Sequence, residues 1–364
     1  MKIEIISEAR RDEWDTFVAQ QSFFSLLQSW EWGEFKEKLG WMVYRIAAEK
    51  QNQVTACAQL LIKTLPGGLA SIGYIPRGPL CDWSDQGAVS SLLSELHRIA
   101  RLHKVSFLKI EPPLYLSEIV DQQIRQNGFR LSRYTNQPRT TIIVDISPSE
   151  EEILLHMRKK TRQYIHSAIR EGITVRMGSQ EDLPAYYNLM RLTGQREHFP
   201  ARLQHYYEQD WQILSQDNHC ILLMAFYEDQ LLAVRTAYRF GKHAAEFHAG
   251  SINHKSNLHP NYLLVWEAMR WAKSQGCDTY DLWGIPDEIG TIFFKGTEPP
   301  IVDRSDGLWG VYRFKSGFSK NIVSYVGAYD YVYQPHLYRL ISNRFIRGET
   351  LDRIMAWMDS IKRK

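Results

Sequence analysis

Cysteine is scarce and scattered in this sequence. Cys57, Cys81, Cys220 and Cys277 form no C-x-x-C pair and stand in no ligand pattern with histidine, which argues against a zinc site or other metal centre and against a disulfide framework. A reducing compartment suits such a chain. Long hydrophobic runs are lacking too: no stretch approaches the roughly 18–20 apolar residues needed to span a bilayer. Met1–Glu8 reads as a short strand without the apolar core of a signal peptide, so a cytoplasmic protein is expected. Charge of one sign is also not in excess. Lys plus Arg number 44 and Asp plus Glu 41, a net +3, too little to wrap duplex DNA.

What is present is a foldable chain of 364 residues, 44% hydrophobic and 23% charged. At roughly 100–200 residues per domain, two domains are expected. The 11 Trp and 19 Tyr suit broad, partly wet clefts, because each pairs a large apolar body with one polar handle. An internal repeat organises the pattern. In the first half, the β-prone runs Met42–Ala48 and Val54–Leu61 flank a polar turn, followed by an amphipathic helix over Gly87–His103 and a strand Val105–Ile110 that ends in Glu111. The second half repeats the order: Ile221–Phe226, a turn, Leu231–Arg239, a further strand Ala244–His248, a helix Tyr262–Gln275 and a strand Thr279–Leu282. Two such units predict an α/β fold with two tandem mixed sheets flanked by helices, of which the GNAT fold is one known arrangement. The expected boundaries are 1–147, 148–335 and a helical tail 336–364. Glu150–Arg170 reads as one helix between the copies, started by Ser147-Pro148-Ser149, with Arg158, Lys159, Lys160, Arg162, His166 and Arg170 off its apolar face. The tail from Thr350 carries apolar residues at helical spacing and a basic end, which fits a helix docked on the core or one lying on a membrane surface.

Seven segments then point to a family. Gln28–Lys36 followed by Gly40-Trp41, Tyr74-Ile75-Pro76-Arg77-Gly78-Pro79, Lys109-Ile110-Glu111-Pro112, Arg158–Arg170, Asn257–Trp266, Tyr280–Gly284 and Tyr312–Phe318 fall in order. Together they resemble the FemABX aminoacyltransferases, across roughly Glu8 to Tyr338. The resemblance implies two tandem GNAT-like domains and transfer of an aminoacyl group from aminoacyl-tRNA to an amine in the peptide stem of a peptidoglycan precursor, nucleotide-linked or lipid-linked. It implies no cofactor. A charged heptad insert that would form a coiled-coil arm is missing, so the chain looks like the armless, FemX-like type.

The same resemblance suggests residues. Moving an aminoacyl group from an ester to an amine runs downhill, so a catalyst has to align the ends, stabilise the oxyanion and manage protons. Lys315 matches the family lysine near the tRNA end, and the apolar surroundings of Phe314 and Phe318 suggest a strand-like segment. Glu111 stands where the family usually has Asp, at a strand end before Pro112-Pro113, where α/β clefts open. It is a candidate for binding the acceptor or for taking the amine's proton. Lys36 falls where the family places a cation on the precursor's diphosphate. Arg202 and Tyr206 match a second diphosphate-binding pair, and their i, i+4 spacing would put both on one helix face. Arg191, Arg196 and His198 nearby are weaker candidates for the same phosphate contact, and Tyr74, Arg77, Tyr262 and Phe314 are candidate substrate-binding residues lining a pocket. Arg158, Lys159, Lys160 and Arg162 are candidate tRNA contacts.

Two rival readings share the fold. An acyl-CoA N-acetyltransferase would cradle its pyrophosphate on a turn of the type [RQ]-x-x-G-x-[GA], and neither copy contains one; Asn257–Asn261 before the second helix has no glycine. A non-catalytic RNA- or precursor-binding module would suit the basic helix alone but has no need for the lysine and the carboxylate.

Overall fold

The computed structural model describes residues 1–65, 68, 70–197, 201–252, 254–296 and 307–346. In chain order the strands are β1 (Lys2–Ile5), β2 (Met42–Lys50), β3 (Gln53–Thr64), β4 (Ser71–Ile75), β5 (Val105–Ile110), β6 (Arg130–Leu131), β7 (Thr140–Asp145), β8 (Ile173–Met177), β9 (Cys220–Tyr227), β10 (Gln230–Phe240), β11 (His243–Ser251), β12 (Thr279–Gly284), β13 (Ile322–Ser324) and β14 (Tyr329–Val332). They form two seven-stranded sheets, ordered β1-β2-β3-β4-β5-β14-β6 and β13-β7-β12-β11-β10-β9-β8. In the first sheet β4 and β5 run parallel, in the second β11 and β12 do, and the other neighbours are antiparallel.

The expected repeat is present strand by strand. β2, β3, β4, a helix and β5 correspond to β9, β10, β11, a helix and β12, and the parallel pair in each copy needs the intervening helix as its crossover. The first crossover helix, Gln86–Leu102, is capped by the Asp85 side chain on the Ala88 amide at 3.0 Å and buries Val89, Leu92, Leu93, Leu96 and Ile99 on the first sheet. The second, Pro260–Ser274, buries Leu263, Leu264, Ala268 and Met269 on the other.

The chain divides into two compact units, one containing Met1–Val18, Leu27–Arg139 and the chain from Tyr325, the other Ala19–Leu26 and Thr140–Ser324. Sequence reading placed the break at 147/148. Contacts divide the chain at Arg139/Thr140 because β7 pairs with β12 and β13, and the first sheet takes β14 from the far end of the chain, between β5 and β6. The helix over Pro335–Ile346 follows β14; the apolar tail from Thr350, and His198, lie outside the described residues. No described helix is long and apolar enough to cross a membrane, and the four cysteines are free, Cys57, Cys220 and Cys277 being buried.

Glu150–Arg170 is two helices, Glu150–His156 and Lys159–Arg170, where a single one was expected. Ser149 starts the first with a capping box to Glu152, as its sequence suggests. Met157 and Arg158 then take extended ψ angles of 157° and 140°, and the Arg158 amide donates to the Gly317 carbonyl at 2.9 Å, so a tertiary bond replaces the helical one at the break.

One glycine in the second unit is required twice over. Gly241 turns β10 into β11 at φ +56°, and a Cβ there would lie 2.4 Å from the Ala19 carbonyl oxygen. Gly241→Ala is expected to cost at least about 1–2 kcal/mol from the left-handed backbone alone. Thermal unfolding measures this, and an unchanged melting temperature would contradict the close approach.

Candidate active site

Three neighbouring strands of the second unit each place one charged residue in its interior: Arg235 on β10, Glu246 on β11 and Asp281 on β12, at 3%, 5% and 4% exposure. Lys315 joins them from the end of the helix Leu308–Lys315 and is itself 8% exposed. Glu246 sits between the two cations. One carboxylate oxygen accepts from Arg235, and the other lies 3.7 Å from Lys315 Nζ. Lys315 Nζ also donates to the Gly284 carbonyl at 3.1 Å. Two cations and two carboxylates balance, which is how charges are tolerated so far from water. Burial pulls the Lys315 ammonium below its usual range, with Glu246 opposing that fall and Arg235 adding to it.

Asp281 holds the turn that presents Gly284. One of its oxygens accepts from Thr141 and, at 2.7 Å, from the Trp283 amide, and Trp283 is in the left-handed region at φ +62°. Asp281 is thus a buried acid that ties the turn beside Gly284. The strand-like segment expected around Lys315 is helical instead. Tyr312 and Lys315, three residues apart, both face inward, which is the helical period. Phe314 packs with Tyr262 and Phe318 at ring separations of 4.7 and 5.3 Å, so Tyr262 and Phe314 form one aromatic cluster beside the helix that carries Lys315.

The basic segment is mixed in character. Arg158, Lys159 and Lys160 are exposed. Arg162 is instead turned onto the end of the preceding helix, its Nη1 donating to the carbonyls of Leu155 at 3.0 Å and Met157 at 2.6 Å. Lys160 Nζ lies 5.5 Å from the Tyr164 ring, which stacks on His259 at 3.9 Å. Arg202 and Tyr206 do not share a helix face as their spacing suggested, because the helix begins at Gln204 and Arg202 precedes it. They still meet: the guanidinium lies 5.3 Å from the Tyr206 ring, and the Arg202 amide donates to the Tyr207 hydroxyl at 3.2 Å. Of the weaker candidates, Arg191 hydrogen-bonds Asn188 and Arg196 donates to the Ser251 carbonyl at 2.8 Å.

The first unit carries the other candidates. Glu111, just past β5, is buried and heavily bonded: one oxygen accepts from the Asn136 amide at 2.6 Å and the Gln137 amide at 3.1 Å, the other from the Tyr74 hydroxyl at 2.5 Å. Burial first and the Glu111 charge second push the Tyr74 phenol well up, so Tyr74 stays a donor. Arg77, at φ +46°, donates to the Pro138 carbonyl at 3.1 Å and lies over the Tyr325 ring at 4.4 Å. Tyr74, Arg77 and Glu111 thus surround one strand end and bind the 136–138 segment to it. Lys36 lies in the last turn of the helix Trp30–Lys38, with Nζ 4.5 Å from the centroids of both Trp32 and Phe35.

The family model of the FemAB family matches residues 9–128, 122–228 and 223–343. The chain belongs to the FemAB family. Among its FemAB relatives are the lipid II:glycine glycyltransferases of Staphylococcus aureus (strain USA300) and Staphylococcus saprophyticus, each 24% identical, the alignment covering 90% of this chain and 93% of theirs. The crystal structure of FemX superposes with a TM-score of 0.81 at 23% identity over 94% of this chain and all of that one. A tandem GNAT protein from the clavulanic acid biosynthesis pathway superposes at 0.54 with 9% identity over 90% and 98% of the two chains. The expected fold, two mixed sheets with flanking helices in tandem GNAT-like units, is therefore the fold found.

Sequence reading of this FemAB protein missed Arg235 and Glu246. Each is a lone charge in the middle of an apolar strand, Val234-Arg235-Thr236 and Ala245-Glu246-Phe247, and that pattern is the signal that could have found them, because an isolated buried charge needs a partner.

Proposed function

We propose that this protein moves an aminoacyl group from aminoacyl-tRNA to the amine of a lipid II peptide stem. The observation that carries the proposal is the near full-length match to relatives that are lipid II:glycine glycyltransferases. In the reaction the neutral amine attacks the ester carbonyl, a tetrahedral oxyanion forms, the attacking nitrogen gives up one proton, and the bond to the tRNA 3′ oxygen breaks as that oxygen gains one, so that amide and free hydroxyl form with no net change in protons. Lys315 suits the last step. An ammonium has three protons, and with one on Gly284 and one toward Glu246 a third is available to the leaving oxygen.

The other roles follow from chemistry and placement. Lys36 in the first unit and the Arg202–Tyr206 pair in the second are each suited to a phosphate contact, Arg as a two-pronged donor and Lys as a point charge. Tyr262 and Phe314 line the acceptor site beside Lys315. Exposed Arg158, Lys159 and Lys160 take the RNA backbone, whereas Arg162 shapes the helix that presents them. Glu111 serves substrate binding in place of base catalysis, because three hydrogen bonds already occupy its oxygens and tie Tyr74 to the 136–138 segment. A lipid-linked acceptor brings the enzyme to the inner face of the membrane as a peripheral protein.

The test is direct. Purified protein, lipid II and a radiolabelled mixture of aminoacyl-tRNAs should give label in the lipid fraction, and mass spectrometry of the product identifies the residue added. Label that never leaves the tRNA, while acetyl-CoA binds tightly and acetylates an amine, would replace this reading with an acyl-CoA transferase. Tight RNA binding with no transfer would leave a binding module.

A further inference from the structure

Lys315 does not stand alone in its site. Among the described residues, β10, β11 and β12 supply the charged groups that face it, Arg235, Glu246 and Asp281, with the buried Tyr280 hydroxyl beside them. Asp281 is engaged with Thr141 and the Trp283 amide. Glu246 is different, since it is divided between two cations: Arg235 takes one oxygen and leaves the other pointing at Lys315. Both β10 and β11 are central strands, and the register between them shifts at Thr236/Ala237, between the strand positions of Arg235 and the partner of Glu246. That irregularity brings Arg235, whose strand partner is Ala249, onto Glu246, whose strand partner is Ala237.

We propose that Glu246, anchored by Arg235, is a positioning residue for Lys315: it fixes the ammonium in line with Gly284 and holds it in the protonated state that the leaving oxygen requires. This inference rests on the reading of Lys315 as the group that meets the leaving oxygen. The physical reason is an imbalance. Lys315 is buried, a condition that favours loss of its proton, and it lies near a second cation, Arg235, which favours the same loss. Glu246 is the carboxylate in ion-pair contact with it, so Glu246 decides the outcome. Arg235 in turn has a definite job. A carboxylate held by one guanidinium has a fixed orientation, and the lysine then meets an oxygen whose place is already set.

The direction of the effect follows. Removing the Glu246 charge removes the contact that keeps the proton on, so the Lys315 titration moves to lower pH and the active, protonated enzyme is lost earlier on the alkaline side. Glu246→Gln keeps size and shape. The alkaline limb of the kcat profile should move to lower pH by at least about one unit, with kcat falling more than KM for lipid II. Glu246→Asp, which keeps the charge, should restore part of the limb.

A second readout does not use the reaction. The Lys315 13Cε resonance, assigned by its loss in Lys315→Met, should titrate at lower pH in Glu246→Gln than in the wild type. Should Glu246→Gln fail to fold, Arg235→Met/Glu246→Leu, which removes both charges together, takes its place and should show a smaller fall in the same direction. An unchanged Lys315 midpoint, or a uniform loss of activity at every pH with an unshifted limb, would overturn the proposal. Wild-type enzyme that transfers no label, with a Lys315 midpoint that still follows Glu246, would sink the transfer reaction and leave the positioning contact standing.

Discussion

Lys315→Met is expected to lower turnover by about two to three orders of magnitude, the effect of removing one preorganised group from the site of developing charge. The side chain is replaced by one of similar length without a charge, so the helix Leu308–Lys315 and its inward face at Tyr312 keep their packing. Glu246 retains Arg235, so no carboxylate is left alone in the interior. The Gly284 carbonyl loses its donor, a stability cost of about 1–3 kcal/mol that melting curves would register separately from kcat. Binding of the lipid precursor should survive, because Lys36 and Arg202 are elsewhere in the chain. Turnover close to that of the wild type in a folded Lys315→Met protein would end the proposed role of this lysine.

The largest stability effect is expected in the first unit. Lys109 on β5 and Asp330 on β14 face each other across the sheet at 2.9 Å, with exposures of 2% and 0%. The Tyr338 hydroxyl donates to the other Asp330 oxygen at 2.8 Å, and Lys109 also reaches the Tyr134 carbonyl at 3.1 Å. Asp330→Ala leaves the ammonium buried with neutral partners and deprives Tyr338 of its acceptor. A cost of about 3–5 kcal/mol is expected, the range for removing one member of a buried pair. Urea unfolding followed by a first-unit tryptophan such as Trp83 would measure it. The double change Lys109→Met/Asp330→Leu should recover much of the loss, and equal stability of the single variant and the wild type would show that the pair is dispensable. β14 enters this sheet from beyond the second unit, so the pair also ties the two ends of the first unit's chain together.

These two cases show why some of the protein could be read from its sequence and some could not. Val105–Ile110 is legible as a strand to the residue, and the Gln86–Leu102 helix to within one residue at each end, because local period and capping determine them. The break at Met157-Arg158 is not legible, since its cause is a bond to Gly317 far along the chain. The Arg202–Tyr206 spacing suggests a shared helix face, yet the helix starts after Arg202, and the pair meets through the guanidinium and the ring instead. Arg162 looks like its basic neighbours in sequence, and only its contacts with three carbonyls on the preceding helix and the turn that ends it set it apart.

By itself the sequence determined the class of fold, the repeated order of strands and helices, and the family, because these depend on periodicity and on motifs read along the chain. Only the tertiary structure decided that the last strand returns to the first sheet and that Arg235, Glu246, Asp281 and Lys315 share one buried site. Those residues lie up to tens of positions apart, and nothing local brings them together. Their meeting is a consequence of strand order and register, which are settled when the sheet closes and its charges must find partners out of reach of water.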